Sequence, residues 1–150
     1  MYMDIAGGAT PTGTGLTTMS ASADTFVGLV GTAISGTQNG FSVSVGSSST
    51  IPRLTYTGTT TKTFLINCSY TAATSEATGF YSFAIAKNGV KQNPSRIINR
   101  GSANDFVGSI NFLVSLATND YLELWGASNL TTGTNTMRLK GLNITAVAIT

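Results

Sequence analysis

Residues 79–90 read Gly79-Phe80-Tyr81-Ser82-Phe83-Ala84-Ile85-Ala86-Lys87-Asn88-Gly89-Val90. An apolar run that ends on Asn-Gly has one economical reading. Asn-Gly supplies the two positive-φ positions of a type I′ turn, so a strand over 80–87 reverses at Asn88-Gly89 into a second strand. Side chains alternate along a strand, which puts Tyr81, Phe83 and Ile85 on one face and Ser82, Ala84 and Ala86 on the other. Both rows can be covered, as in a sandwich whose outer side touches something.

The same pattern continues in both directions. Short apolar runs punctuated by turn residues predict about eight strands, drawn from 25–34, 41–45, 53–56, 62–70, 80–87, a short 96–99, 106–116, 121–125 and 137–149. In 62–70, Phe64, Ile66, Cys68 and Tyr70 share a face, so Cys68 is most simply a small core residue; no neighbouring cation is present to activate a thiol. In 106–116, Phe106, Ile110, Phe112, Val114 and Leu116 form the core row, and the opposite row is Ser109, Asn111, Leu113 and Ser115. Leu113 is an apolar residue on a polar face. The last strand carries Leu142, Ile144, Ala146 and Ala148 on one side and Asn143, Thr145, Val147 and Ile149 on the other, so it is apolar on both sides towards its end. Either a neighbouring subunit or a closely packed arm of the same chain would cover the second side.

Composition agrees with an all-β chain. Of 150 residues, 25 are Thr, 17 Gly, 16 Ser and 11 Asn, whereas Asp, Glu, Lys and Arg together supply 14, which excludes a helical bundle or coiled coil. The expected fold is an antiparallel two-sheet sandwich over 25–150, preceded by an N-terminal arm over 1–24. The arm is Gly-, Thr- and Ser-rich, with Tyr2, Met3, Ile5 and Leu16 as its apolar anchors. Such a segment is either an extended strap ordered by a partner or a disordered tail.

Several chemistries fall with the same counts. The chain contains no His, which removes Ser-His-Asp and Cys-His catalysis and imidazole metal sites. Cys68 is the single cysteine, so no internal disulfide and no zinc spacing exist. A formal charge of +2 is too small to imply nucleic acid, no run approaches the apolar length of a membrane span, and the start Met1-Tyr2-Met3-Asp4 lacks the basic start and apolar core of a secretory signal. The six carboxylates, Asp4, Asp24, Glu76, Asp105, Asp120 and Glu123, show no spacing that compels a shared site. Asp120 is better explained as a turn residue whose side chain bonds nearby backbone. The expectation is a non-enzyme with no cofactor and no metal.

Lys87, Lys91, Arg96 and Arg100 cluster within fourteen positions. They form either a solvated face or an electrostatic contact with a protein or anionic glycan, and Arg96 and Arg100 share a face of an extended segment. Three Asn-x-Ser/Thr tripeptides begin at Asn67, Asn129 and Asn143, about as many as chance supplies, and they carry no information.

The stretch Gly79 to Gly89, followed by Gly108-Ser109-Ile110-Asn111-Phe112-Leu113-Val114-Ser115-Leu116 and Asn119-Asp120-Tyr121-Leu122-Glu123-Leu124, resembles the trimeric jelly rolls of the tumour-necrosis-factor and complement globular-head superfamily. It looks most like the versions of that domain in virion proteins of tailed bacteriophages and related viruses. Those share the aromatic strand, the Lys-Asn-Gly turn, a Leu-x-x-x-Asp step, here Leu116 to Asp120, and an apolar last strand, here Leu139 to Ile149. The resemblance covers roughly residues 50–150. Asn119 stands where many relatives have Gly.

The resemblance implies a homotrimer with Ser109, Asn111 and Leu113, together with Thr145 and Val147, near the threefold axis. It implies a virion structural protein without catalytic residues, expected to decorate or cement a capsid through the arm at Tyr2, Met3, Ile5 and Leu16. The alternative is the receptor- or glycan-binding tip of a phage spike or tail fibre. Against that, 24 residues supply an arm but no shaft, and only Trp125 with Tyr121 offers aromatics for a sugar.

Overall fold

A computed structural model describes residues 3–5, 16–31, 33–35, 39–44, 51–102, 104–131 and 134–149. The strands are β1 (Met3–Ile5), β2 (Leu16–Thr18), β3 (Val27–Gly28), β4 (Ala33–Ser35), β5 (Phe41–Ser44), β6 (Arg53–Tyr56), β7 (Lys62–Thr74), β8 (Phe80–Lys87), β9 (Val90–Lys91), β10 (Ile97–Arg100), β11 (Phe106–Leu116), β12 (Tyr121–Ser128) and β13 (Thr136–Ala148). One short 3-10 turn, Asn93–Ser95, joins β9 to β10. Every pairing is antiparallel. The fold is all-β, as the composition predicts.

Two sheets form. The first runs β11-β7-β13-β1-β4, with β2 also on β13; the second runs β10-β8-β12-β6-β5, with β3 on β12 and β9 on β8. Among the eight strands β1, β6, β7, β8, β10, β11, β12 and β13, the first pairs with the last, the second with the seventh, the third with the sixth and the fourth with the fifth. A chain paired in this nested way is one long ribbon rolled over itself, which is the jelly roll.

The predicted periodicities build the core between the sheets. The row Phe64, Ile66, Cys68, Tyr70 of β7 is buried, as is Ile110, Phe112, Val114, Leu116 of β11. They meet Tyr81, Phe83 and Ile85 of β8 and Leu122 and Leu124 of β12. Phe41, Tyr56 and Phe64 form a triangle of rings with centroids 5.1–5.2 Å apart, closing one end. Tyr70 stacks on Phe83 at 4.4 Å towards the other. Gly108 lies in the core row of β11, where a Cβ would stand 2.3 Å from the Tyr70 hydroxyl; the missing side chain lets that hydroxyl accept from Asn99 Nδ2 at 2.9 Å.

β13 departs from strict alternation. Its register against β7 shifts between Leu139 and Gly141, so Lys140 is the extra residue of a bulge. Leu139 and Leu142, three apart, are both buried for that reason.

The N-terminal segment is laid against the sandwich where it is described. β2 pairs Leu16–Thr18 with Arg138–Thr136, Met19 is buried in the core, and the Val30 amide donates to Thr17 Oγ1 at 3.0 Å. β1 sits between β13 and β4. Residues 16–19 thus share sheet and core with later strands.

Candidate interaction face

The outward side of the first sheet gathers the residues singled out around Leu113. β7 lies between β11 and β13, and the registers align Leu113 with Leu65 and Leu65 with Val147. The next row inward along the strands is Asn111, Asn67 and Thr145, and the one after it is Ser109, Ser69 and Asn143. Ser109, Asn111, Leu113, Thr145 and Val147 therefore occupy one continuous face spanning three strands. The sequence reading left out Leu65, Asn67 and Ser69 as members of this face. Alternation already placed them together on β7, but only the strand order shows that β7 is the middle strand.

The face mixes two chemistries. Leu113 is 59% and Val147 49% exposed, and Ile149 follows beside them at 50%, giving an apolar end. The amide and hydroxyl rows form a polar stretch, within which Thr145 Oγ1 donates to Asn143 Oδ1 at 3.2 Å. On β11, β7 and β13 these rows carry no charge, and across β13 the third row meets Asp4 of β1, which registers with Asn143. Covering a leucine or valine fully is worth about 1.5–3 kcal/mol, so the apolar end is where a partner would gain most.

Of the arm anchors, Tyr2 lies outside the described residues. Met3 and Ile5 belong to β1, and Leu16 on β2 is exposed.

The carboxylates are dispersed and mostly engaged. Arg53 Nε donates to Glu123 Oε1 at 2.5 Å, and the Trp125 indole donates to Glu123 Oε2 at 2.8 Å. The Arg53 guanidinium lies 4.4 Å over the Tyr121 ring, and its bond to Glu123 raises its pKa further despite desolvation. Trp125 and Tyr121, the two candidate sugar-binding aromatics, are thus tied into an Arg–Glu cluster on β12: the indole N–H is spent and one face of Tyr121 is covered. Asp105 bonds Lys140, and Asp24 accepts from Arg96 Nη2 at 2.9 Å.

Asp120 behaves as the turn reading predicts. Its carboxylate accepts from the Ala117 amide at 2.7 Å, Asn88 Nδ2 at 2.7 Å and Lys87 Nζ at 2.8 Å. Burial pulls its pKa upward, but these donors outweigh it and the net shift is downward. Cys68 is buried and its thiol pKa is pushed far up by desolvation. Among the described residues, no group of three or more His, Cys, Asp or Glu side chains converges as a metal cage would require.

No protein-family model and no curated protein matches the chain. Among solved structures, murine APRIL aligns over 93% of this chain and 97% of its own, at 10% identity and a TM-score of 0.48. The carbohydrate-binding module CBM35 from Paenibacillus barcinonensis aligns over 91% and 94%, at 21% identity and a TM-score of 0.35. A carbohydrate-binding module from Cellvibrio mixtus lichenase 5A, solved with cellotriose, aligns over 94% of each chain, at 17% identity and a TM-score of 0.31.

Proposed function

We propose that this protein is a non-enzymatic structural module that assembles as a homotrimer through the outward face of the first sheet and decorates or cements a viral shell. The carrying observation is the row Leu113–Leu65–Val147, an apolar band in register across three strands, exposed at Leu113 and Val147 and half-buried at Leu65, and backed by uncharged amides and hydroxyls. The two rows at the Leu113 end carry no charge and lose little on desolvation, which favours burial between like subunits over contact with water. In this reading Ser109, Asn111, Leu113, Thr145 and Val147 line the threefold axis. Of the arm residues Tyr2, Met3, Ile5 and Leu16, Met3 and Ile5 are held in β1 between β13 and β4, so the exposed Leu16 is the anchor proposed to touch the shell, where three linked weak contacts raise apparent affinity by orders of magnitude.

Sedimentation equilibrium tests the assembly. The natural protein is expected at three times its 15.5 kDa mass, and Leu113→Arg, which would crowd three cations at the axis, is expected to sediment as a folded monomer. A monomeric natural protein, or an unaffected trimer in the variant, overturns the assignment of this face. Mass spectrometry of separated particle heads and tails tests the location; recovery from tails alone overturns decoration and favours the receptor- or glycan-binding tip.

A further inference from the structure

The second sheet carries a different surface on its own outward side. Along its edge, β10 places Ile98 opposite Ser82 and Arg100 opposite Phe80, and β9 places Lys91 opposite Ala86. Since Tyr81 and Phe83 point into the core, Ser82 and Phe80 point outward, and Arg96, Ile98 and Arg100 follow them on the same side. Phe80 is 53% and Ile98 57% exposed. Arg96 is held in place by Ser82 Oγ and Asp24 Oδ1, both at 2.9 Å from Nη2. Lys91 Nζ sits 4.4 Å over the Phe26 ring, with the Arg96 guanidinium at 5.8 Å from the same ring. Asp24 neutralises Arg96, whereas Lys91 and Arg100 make no ion pair among the described residues.

Arg96, in extended conformation just before β10, and Ile98 and Arg100 within it repeat at every second residue, a pitch of about 6.8 Å. A linear ligand that complements them presents anion, apolar group and anion at the same pitch. An extended peptide does so with side chains at i, i+2 and i+4 on one face, and Phe80 adds an aromatic surface beside Arg100. The unpaired Arg100 supplies a full charge for one anion, the unpaired Lys91 adds positive potential, and the second anion shares Arg96 with the exposed Asp24.

We propose that the outward strip Arg96–Ile98–Arg100, with Phe80 and Lys91, docks an extended acidic segment of a partner protein that reads acid–apolar–acid at alternate positions. The strip lies on the sheet opposite the Leu113 face, so it stands or falls independently of the trimer.

The test is an amide-shift titration of the full chain with a blocked peptide containing Asp-Thr-Leu-Thr-Asp, against a blocked control of the same composition ordered Asp-Asp-Leu-Thr-Thr. The alternating peptide is expected to shift the Ile98 and Arg100 amides saturably and to bind at least several-fold tighter than the control. Arg100→Glu is expected to weaken it about tenfold, and about 0.5 M salt to weaken it strongly. Ile98→Thr separates the apolar contribution, and circular dichroism verifies that both variants fold. Absence of saturation by the alternating peptide up to about 5 mM overturns the proposal, as does equal binding of the two peptides or indifference to Arg100→Glu. Binding of polygalacturonate at these amides without the peptide overturns it in favour of an acidic glycan.

Discussion

Replacing Asp120 by Ala removes one carboxylate that joins three parts of the chain. Its oxygens accept from Ala117 N in their own turn, from Asn88 Nδ2 in the type I′ hairpin, and from Lys87 Nζ, which also reaches Ser115 O at 2.7 Å. The Asn88 side chain in turn accepts from the Tyr121 amide at 2.9 Å, and Asn88 and Asn119 hold φ of 52° and 69°. Lys87 and Asn88 can return their donors to water, so their loss costs little. The part-buried Ala117 amide cannot do so as freely, and a hydrogen bond to a charged group is worth about 1.5–3 kcal/mol. The expected destabilisation is about 2 kcal/mol, or about 4–8 °C in Tm for a domain of this size. Thermal unfolding at fixed protein concentration and pH 7 measures it. The acid limb gives a second readout: a carboxyl whose folded pKa is depressed contributes stability that is fully present above its unfolded value, about 3.9, and is lost as pH falls through the folded value. The variant is therefore expected to lose less stability than the natural protein below about pH 4. A Tm within about 1 °C of the natural protein, or an unchanged acid limb, refutes the reasoning.

Two further outcomes follow from the core. Cys68, fully buried with its pKa driven up, is expected to react with a thiol reagent only at the rate of global unfolding in native buffer, and at once in denaturant; rapid native labelling would place it elsewhere. Gly101→Ala would bring a Cβ to 2.3 Å from Glu76 O and 2.6 Å from Tyr81 Cε2, and is expected to cost about 3 kcal/mol in urea unfolding, whereas at Gly141 the nearest atom to such a Cβ, Thr71 Oγ1, is 3.7 Å away and Ala there is expected to be tolerated.

The strands from 53 onward were legible because their burial is one-sided or complete. The rows of β7, β8 and β11 came directly from period-two alternation, and the Asn-Gly hairpin from turn chemistry, which Asn88 and Gly89 confirm with φ of 52° and 74°. The bulge at Lys140 was not legible, since a one-residue slip leaves the same apolar residues in the same order and only the partner strand reveals the shift. The long strand expected over 25–34 is instead divided, with Val27–Gly28 on the second sheet and Ala33–Ser35 on the first. Its two faces carry no clean alternation, and Gly28 and Gly31 interrupt it. The lodging of Met19 and Thr17 was equally hidden, because a few apolar residues among Gly, Thr and Ser carry no period; their partners, Asn135 O and the Val30 amide, lie far along the chain or across a loop. The candidate face was half legible: Leu113 and Val147 each stood out on its own strand, but their alignment through Leu65 is a property of the strand order.

That strand order also fixes how the molecule can bind. Each sheet turns one side to the shared core, and although Ala84, Ala86, Glu123 and Ala127 are buried on the outer side of the second, a jelly roll still presents two outward faces whose chemistry is set by alternate residues of different strands. Here the first face carries two uncharged rows, Leu113, Leu65 and Val147 and then Asn111, Asn67 and Thr145, and the second carries Lys91, Arg96 and Arg100 around Phe80 and Ile98. Desolvation selects between partners for the two. Uncharged rows with an apolar band suit a second copy of themselves, because burying those rows brings no like charges together. Three copies of the basic strip would repel one another, so that strip suits an acidic partner and disfavours self-association. Since the strips lie on opposite sides of the core, a substitution on one leaves the packing of the other unchanged, and assembly and partner binding are separable by single mutations.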